Sequence, residues 1–159
     1  MGSYLGIPRA IREQVNALFE SFVLSHIEQG VSCAFETTLR SGITFDQAAL
    51  ARNAGFVVEM RYVALWDLTM HLERVKMRAD AGGHSAPESI LKIIYDSSIN
   101  NLARAIREMG FLYVYDNTRW GAIPKVLLQA EDGEIVYVAE NIPVWLKKVL
   151  EEWEGQAGV

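Results

Sequence analysis

From Pro8 to Gln29 the apolar residues Ile11, Val15, Leu18, Phe19, Phe22, Val23 and Ile27 fall on one helical stripe, and Gly30 follows where a left-handed cap ends a helix. The run from Val31 to Thr37 reads as a strand that closes on Phe35-Glu36-Thr37-Thr38-Leu39. Thr44-Phe45-Asp46-Gln47 then fits a capping box, opening a helix that ends near Gly55. A second strand is predicted from Val57 to Leu65, and Asp67 is placed to cap a helix carrying Met70, Leu72, Val75 and Met77 towards Gly82-Gly83.

A further capping box, Ser85-Ala86-Pro87-Glu88, predicts one long helix to about Met109 with Ile90, Leu91, Ile94, Ile99, Leu102 and Ile106 on its apolar side. Phe111 to Tyr115 is the third strand, closed by Asp116-Asn117, whose short side chains favour turns. Two short apolar runs, Val126 to Leu128 and Ile135 to Val138, flank Glu131-Asp132-Gly133, and Asp-Gly is the strongest short-range hairpin signal. Pro143 opens a last helix bearing Val144, Leu146, Val149, Leu150 and Trp153. Strands separated by helices of this length imply parallel crossovers. The expectation is therefore one α/β domain, a parallel sheet with helices on both faces, ending in a β-hairpin and a terminal helix.

Composition narrows the function classes. The 159 residues are half hydrophobic and carry fifteen Lys and Arg against twenty acids, a net charge of -5. Basic residues scattered among a majority of acids do not build the concentrated cationic face that phosphate backbones require, so nucleic acid is not the expected partner. No apolar run approaches the roughly 20 residues that span a bilayer, and no leader pattern opens the chain, so a membrane is not expected and the cytoplasm is the expected compartment. Cys33 is the lone cysteine, which excludes an internal disulfide, and its apolar neighbours predict a small buried strand residue.

In an open parallel sheet, ligands bind beyond the carboxyl ends of the strands. Glu36, Thr37 and Thr38 stand at the first such end and offer acceptors and donors suited to sugar hydroxyls, although the spacing equally fits ordinary strand-end residues. On the helix after the second strand, His71, Arg74 and Arg78 share one face, and two guanidiniums there could clamp phosphate oxygens; a solvated surface helix is the competing reading. Gly82-Gly83-His84 supplies a flexible backbone followed by an imidazole. Tyr113, Tyr115, Asp116 and Asn117 end the third strand, where a base or sugar could stack, or where a simple turn would do. Trp66, Trp120, Trp145 and Trp153 are expected in the core or at interfaces.

The order of these signals carries a resemblance. Ala34-Phe35-Glu36-Thr37-Thr38-Leu39, Ala54-Gly55-Phe56, Leu72-Glu73-Arg74-Val75-Lys76-Met77-Arg78, Ala81-Gly82-Gly83-His84-Ser85-Ala86-Pro87-Glu88, Tyr95 with Ser97, Asn101-Leu102 and Val114-Tyr115-Asp116-Asn117 together resemble the zeta-toxin family. The resemblance covers about Glu13 to Asn117 and implies a P-loop phosphotransferase whose best-known members use ATP and Mg to phosphorylate UDP-N-acetylglucosamine. It implies that Glu36, Thr37 and Thr38, with Asp116 and Asn117, face the sugar nucleotide. Arg74 and Arg78 would contact ATP phosphates and be the catalytic cations, and His84 stands near where some relatives carry a second phosphate-binding arginine. An antitoxin partner is implied in the same way. The run Lys92-Ile93-Ile94-Tyr95 departs from the more basic stretch the family carries there.

A Walker A loop needs Gly-x-x-x-x-Gly-Lys-Ser/Thr between a strand and a helix, and no Gly-Lys pair occurs in these residues. The family's acceptor-activating Asp also has no matching position. Phosphoryl transfer draws on positioning and electrostatic stabilisation, so the chain as written is not expected to be a competent kinase. Loss of a central strand is expected to leave strand edges unpaired and apolar surface exposed, so the chain is expected to be an incomplete fragment, to self-associate through that edge, or to cover it with its N-terminal helix. Two functions compete: part of a zeta-toxin-like kinase, and a non-catalytic sugar-nucleotide-binding or protein-interaction module.

Overall fold

The computed structural model describes residues 8–83 and 86–156. Among them are six helices and one four-stranded sheet: α1 (Arg9–Gln29), α2 (Ile43–Asn53), β1 (Glu59–Ala64), α3 (Leu68–Asp80), α4 (Glu88–Asn100), α5 (Leu102–Glu108), β2 (Phe111–Asp116), β3 (Lys125–Glu131), β4 (Glu134–Val138) and α6 (Val144–Gln156). The strands lie in the order β1-β2-β3-β4. The class is α/β as expected, but the sheet is mixed, with β1 and β2 parallel and both later pairings antiparallel. The reason is connection length. Three helices separate β1 from β2, enough for a parallel crossover, whereas no helix lies between β2 and β3, and such a short link returns the chain antiparallel.

The C-terminal hairpin and helix are as expected. Asp132 at φ 47° and Gly133 at φ 91° give the two left-handed positions that a tight hairpin turn between β3 and β4 requires. Gly30 likewise ends α1 in the left-handed region, its N–H returning to carbonyls of the last turn. The Asp67 side chain caps α3 by accepting from the Met70 N–H at 2.9 Å.

Three expectations are corrected. Residues 31–37 form no strand: they are exposed, and no neighbouring strand meets their backbone, so Cys33 is exposed rather than buried. The α2 capping box is not made, because the helix begins at Ile43 with Gly42 as cap and the Thr44 hydroxyl is held by Thr37 at 3.0 Å. The long helix breaks at Asn101, where the side-chain amide donates to the Leu39 carbonyl at 2.8 Å. The capping residue expected at Ser85, and His84, lie outside the described residues.

Alternation along the strands sorts the sheet faces. Met60, Tyr62, Ala64, Leu112, Val114, Leu128, Ala130 and Ile135 turn to one face, where α2, α5 and α6 supply Phe45, Ala48, Leu102, Ala105, Ile106, Met109, Trp145, Leu146 and Val149. The other face carries Glu59, Arg61, Val63 and Tyr137, all exposed. Helices on both faces were expected; the core lies on one. Helix α1 meets the body near its C-terminal turns, with Val23 buried and Phe19 edge-on to Phe35 at 4.9 Å. Its Ile11, Val15, Leu18 and Phe22 remain exposed, and β1 has no neighbour on its outer edge among the described residues.

Candidate functional site

Beyond β1 the chain is pinned by side chains on both sides. The Leu65 N–H donates to His71 Nε2 at 2.9 Å, and the Leu65 carbonyl accepts from the Trp145 indole at 3.1 Å. These bonds seat α3 and α6 against the end of β1, and they satisfy a backbone that has just left the sheet.

A cleft of about 290 Å³ opens there. Thr37, Thr38, Tyr62, His71, Tyr95 and Ser98 supply its neutral polar groups, Arg61 a cation, and Val63, Leu68, Leu72, Val75, Leu91 and Ile94 its apolar walls. Tyr62 and Ser98 hydroxyls bond each other at 3.0 Å, and the His71 and Tyr95 rings meet edge to face at 5.1 Å. Burial pushes the Tyr95 hydroxyl up to about 12, with Tyr62 adding to the shift. Burial also raises Tyr62, against the opposing bond from Ser98. Both phenols are therefore protonated at neutral pH and able to donate. Burial, and then the Arg74 charge, hold His71 below its ordinary value. Because Nε2 accepts from Leu65, the neutral ring carries its proton on Nδ1. Such a cleft can exchange hydrogen bonds with ligand hydroxyls but holds no strong nucleophile.

The sequence-derived residues divide into two groups. Glu36, Thr37 and Thr38 are adjacent but do not share one site: Thr38 lines the cleft, Glu36 lines a larger groove of about 510 Å³, and Thr37 borders both. The Thr37 hydroxyl is already engaged, accepting from the Leu39 N–H at 3.2 Å and bonding Thr44. It holds Leu39 at φ 53°, which turns the chain into α2.

The second group gathers on α3. The Arg74 guanidinium donates to the Asn117 carbonyl at 2.8 Å and the Thr118 carbonyl at 3.1 Å, and lies 5.3 Å from the Trp120 ring centre. Asp116 accepts from the Thr118 N–H at 2.9 Å, and the Asn117 N–H reaches the Ala64 carbonyl at 2.8 Å. Arg74, Asp116 and Asn117 thus come together, as a fastening between α3 and the end of β2. A guanidinium has five N–H donors, so Arg74 retains donors beyond the two in use. Arg78 is exposed in the last turn of α3.

Tyr62 and Ser98 were not singled out in the sequence, and Gln47 only as the last residue of a capping box. Tyr95, Ser98 and Asn101 recur every third residue along a helix whose neighbours Leu91, Ile94 and Ile99 are apolar, and that interrupted stripe was the available signal. Gln47 sits beside Phe45 and Ala48 in the buried side of α2, a polar group in an apolar face.

Among the described residues no group of three or more His, Cys, Asp or Glu is placed to hold a metal ion. No helix among them is long and apolar enough to cross a membrane. No family model matches the chain, and no solved structure matches it. An uncharacterized protein of Haemophilus influenzae is 30% identical over 69 residues, 43% of this chain and 49% of that protein. The chain thus matches about half the length of this curated relative.

Proposed function

We propose that this chain is a zeta-toxin-like acceptor-binding domain that holds a sugar nucleotide at the end of β1 and, by these residues alone, does not transfer phosphate. The observation that carries the reading is the convergence of Thr38, Tyr62, His71, Tyr95 and Ser98 on one cleft beyond a parallel strand, where such folds take their ligands. Hydroxyls and a neutral imidazole suit a hydroxylated moiety, and the Tyr95 ring offers an apolar face to a pyranose.

Magnesium-bound ATP, the cofactor that the resemblance implies, does not fit the described residues. No Gly-Lys loop is present in these residues to cradle a triphosphate, and Arg74 already gives two of its donors to carbonyls. No step is routed through it. An antitoxin partner belongs to the same proposal and rests on the resemblance; the cytoplasm is proposed from the sequence pattern alone.

Calorimetric titration with UDP-N-acetylglucosamine and, separately, with ATP tests it. The reading expects saturable heat with the sugar nucleotide, about tenfold weaker in Thr38→Val and Tyr95→Ala, and no ADP formed from ATP. Heat with ATP accompanied by turnover would contradict it, as would silence with the sugar nucleotide.

A further inference from the structure

Residues 31–37 and the outer edge of β1 line the larger groove together. The Val58 and Ala64 carbonyls accept from the N–H groups of Phe111 and Asn117, so alternation in a parallel pair turns the backbone groups of Glu59, Arg61 and Val63 away from β2. The Val31 N–H donates to the His26 carbonyl at 2.9 Å, and the Thr37 hydroxyl accepts from the Leu39 N–H and bonds Thr44. Between these fastenings, residues 32–36 make no backbone–backbone hydrogen bond among the described residues. Direction follows from the two ends. Thr37 and Thr38 reach the cleft together with Tyr62 and Val63, and α2 carries the chain from this segment back to the start of β1, the layout of a parallel crossover.

We propose that residues 31–37 are a strap that closes on the outer edge of β1 as a fifth, parallel strand, with Thr38 beside Val63. That register sets Cys33 opposite Val58, Phe35 opposite Met60 and Glu36 opposite Arg61. Val31, Cys33 and Phe35 then share the face of Met60 and Tyr62, which pack on the core, and Phe35 already meets Phe19 of α1. Glu36, an exposed carboxylate outside the ion pairs of the described residues, joins the exposed pair that Arg61 makes with Glu59 at 2.5 Å. A slip of one residue would turn the apolar set to the solvent face and Glu36 to the core, so the pattern specifies the register. Closure pairs backbone groups that are unpaired on both sides of the groove. Thr37, Arg61 and Val63 line both cavities, so closure also fixes the wall that the groove shares with the cleft.

Cys33 is the lone cysteine, so a second one introduced on the facing edge reports the register. Directly opposite residues of neighbouring strands stand within the Cα separation that a disulfide spans, about 4.4–6.8 Å. In the full chain under mild oxidation, Val58→Cys should bond Cys33 within one molecule about tenfold faster than Val57→Cys or Glu59→Cys, although those two positions are the more exposed. Glu36→Arg should slow that bond, and Arg61→Glu added to it should restore the rate. If Val58→Cys fails to fold, Ala34→Cys with Glu59→Cys in a Cys33→Ser background, both at exposed positions, carries the comparison against Ala34→Cys with Arg61→Cys. Equal rates at neighbouring positions, no rescue by the charge exchange, or a bond formed only between two copies would each overturn the proposal. None of these readouts depends on sugar-nucleotide binding.

Discussion

Replacing Gln47 with methionine keeps the length and nearly the volume of the side chain while removing a carboxamide that no described residue satisfies. Gln47 is 6% exposed, on the face of α2 that also buries Phe45 and Ala48. A buried polar group left unpaired costs about 1–3 kcal/mol, and an apolar group of the same shape removes that penalty. Methionine is also as good a helix former as glutamine. Gln47→Met should therefore stabilise the isolated protein by about 2 kcal/mol, a rise in Tm of roughly 4–8 °C for a domain of this size. Gln47→Glu should do the opposite, since an unpaired carboxylate is harder to bury than an amide. Urea and thermal unfolding followed by circular dichroism at pH 7 measure both. A loss of stability of 1 kcal/mol or more in Gln47→Met would refute the reasoning, since it would show the amide to be bonded in the folded protein.

Other expectations rest on single contacts. Arg74→Ala removes two charged hydrogen bonds to the carbonyls of Asn117 and Thr118 and the cation over Trp120, and should cost about 1–3 kcal/mol. Amide exchange should quicken first around residues 117–120, and Arg74→Lys should restore only part of the protection, having no planar fork. Trp145→Phe leaves the buried Leu65 carbonyl without its indole donor and should cost about 1–2 kcal/mol in chemical denaturation. His71 has a folded-state value depressed below the unfolded one, so the unfolded chain takes up the proton first. Its contribution to stability is complete above the ordinary histidine value and is lost as pH falls through the folded-state value. Melting temperatures compared at neutral and mildly acidic pH should drop in the parent more than in His71→Gln; equal drops would count against this. Arg74, Asp67 and Tyr95 are the charged or titratable neighbours that set its environment.

Local signals read well in this chain where their partners are local. Asp67 capping α3, Gly30 ending α1 and Asp132-Gly133 turning the hairpin each involve atoms a few residues apart, and each stands as the sequence predicts. What failed depended on distant chain. Residues 31–37 have strand composition, but a strand needs a neighbour, and none lies beside them. The helix break at Asn101 is fixed by a bond to Leu39, 62 residues away, which no periodicity reveals. Thr38 was named in the sequence, though the strand it was expected to end does not form, while Tyr95 and Ser98 arrive at the cleft from α4, far along the chain. Arg74 was legible as a cation on a helix face. Its carbonyl partners, more than 40 residues on, were not.

Direct binding of UDP-N-acetylglucosamine to the intact chain tests the central claim most closely. The cleft lined by Thr38, Tyr62, His71, Tyr95 and Ser98 should give a saturable calorimetric isotherm that weakens about tenfold in Tyr95→Ala, with no ADP released when ATP is added. A flat isotherm, or one that Tyr95→Ala leaves unchanged, would contradict the account.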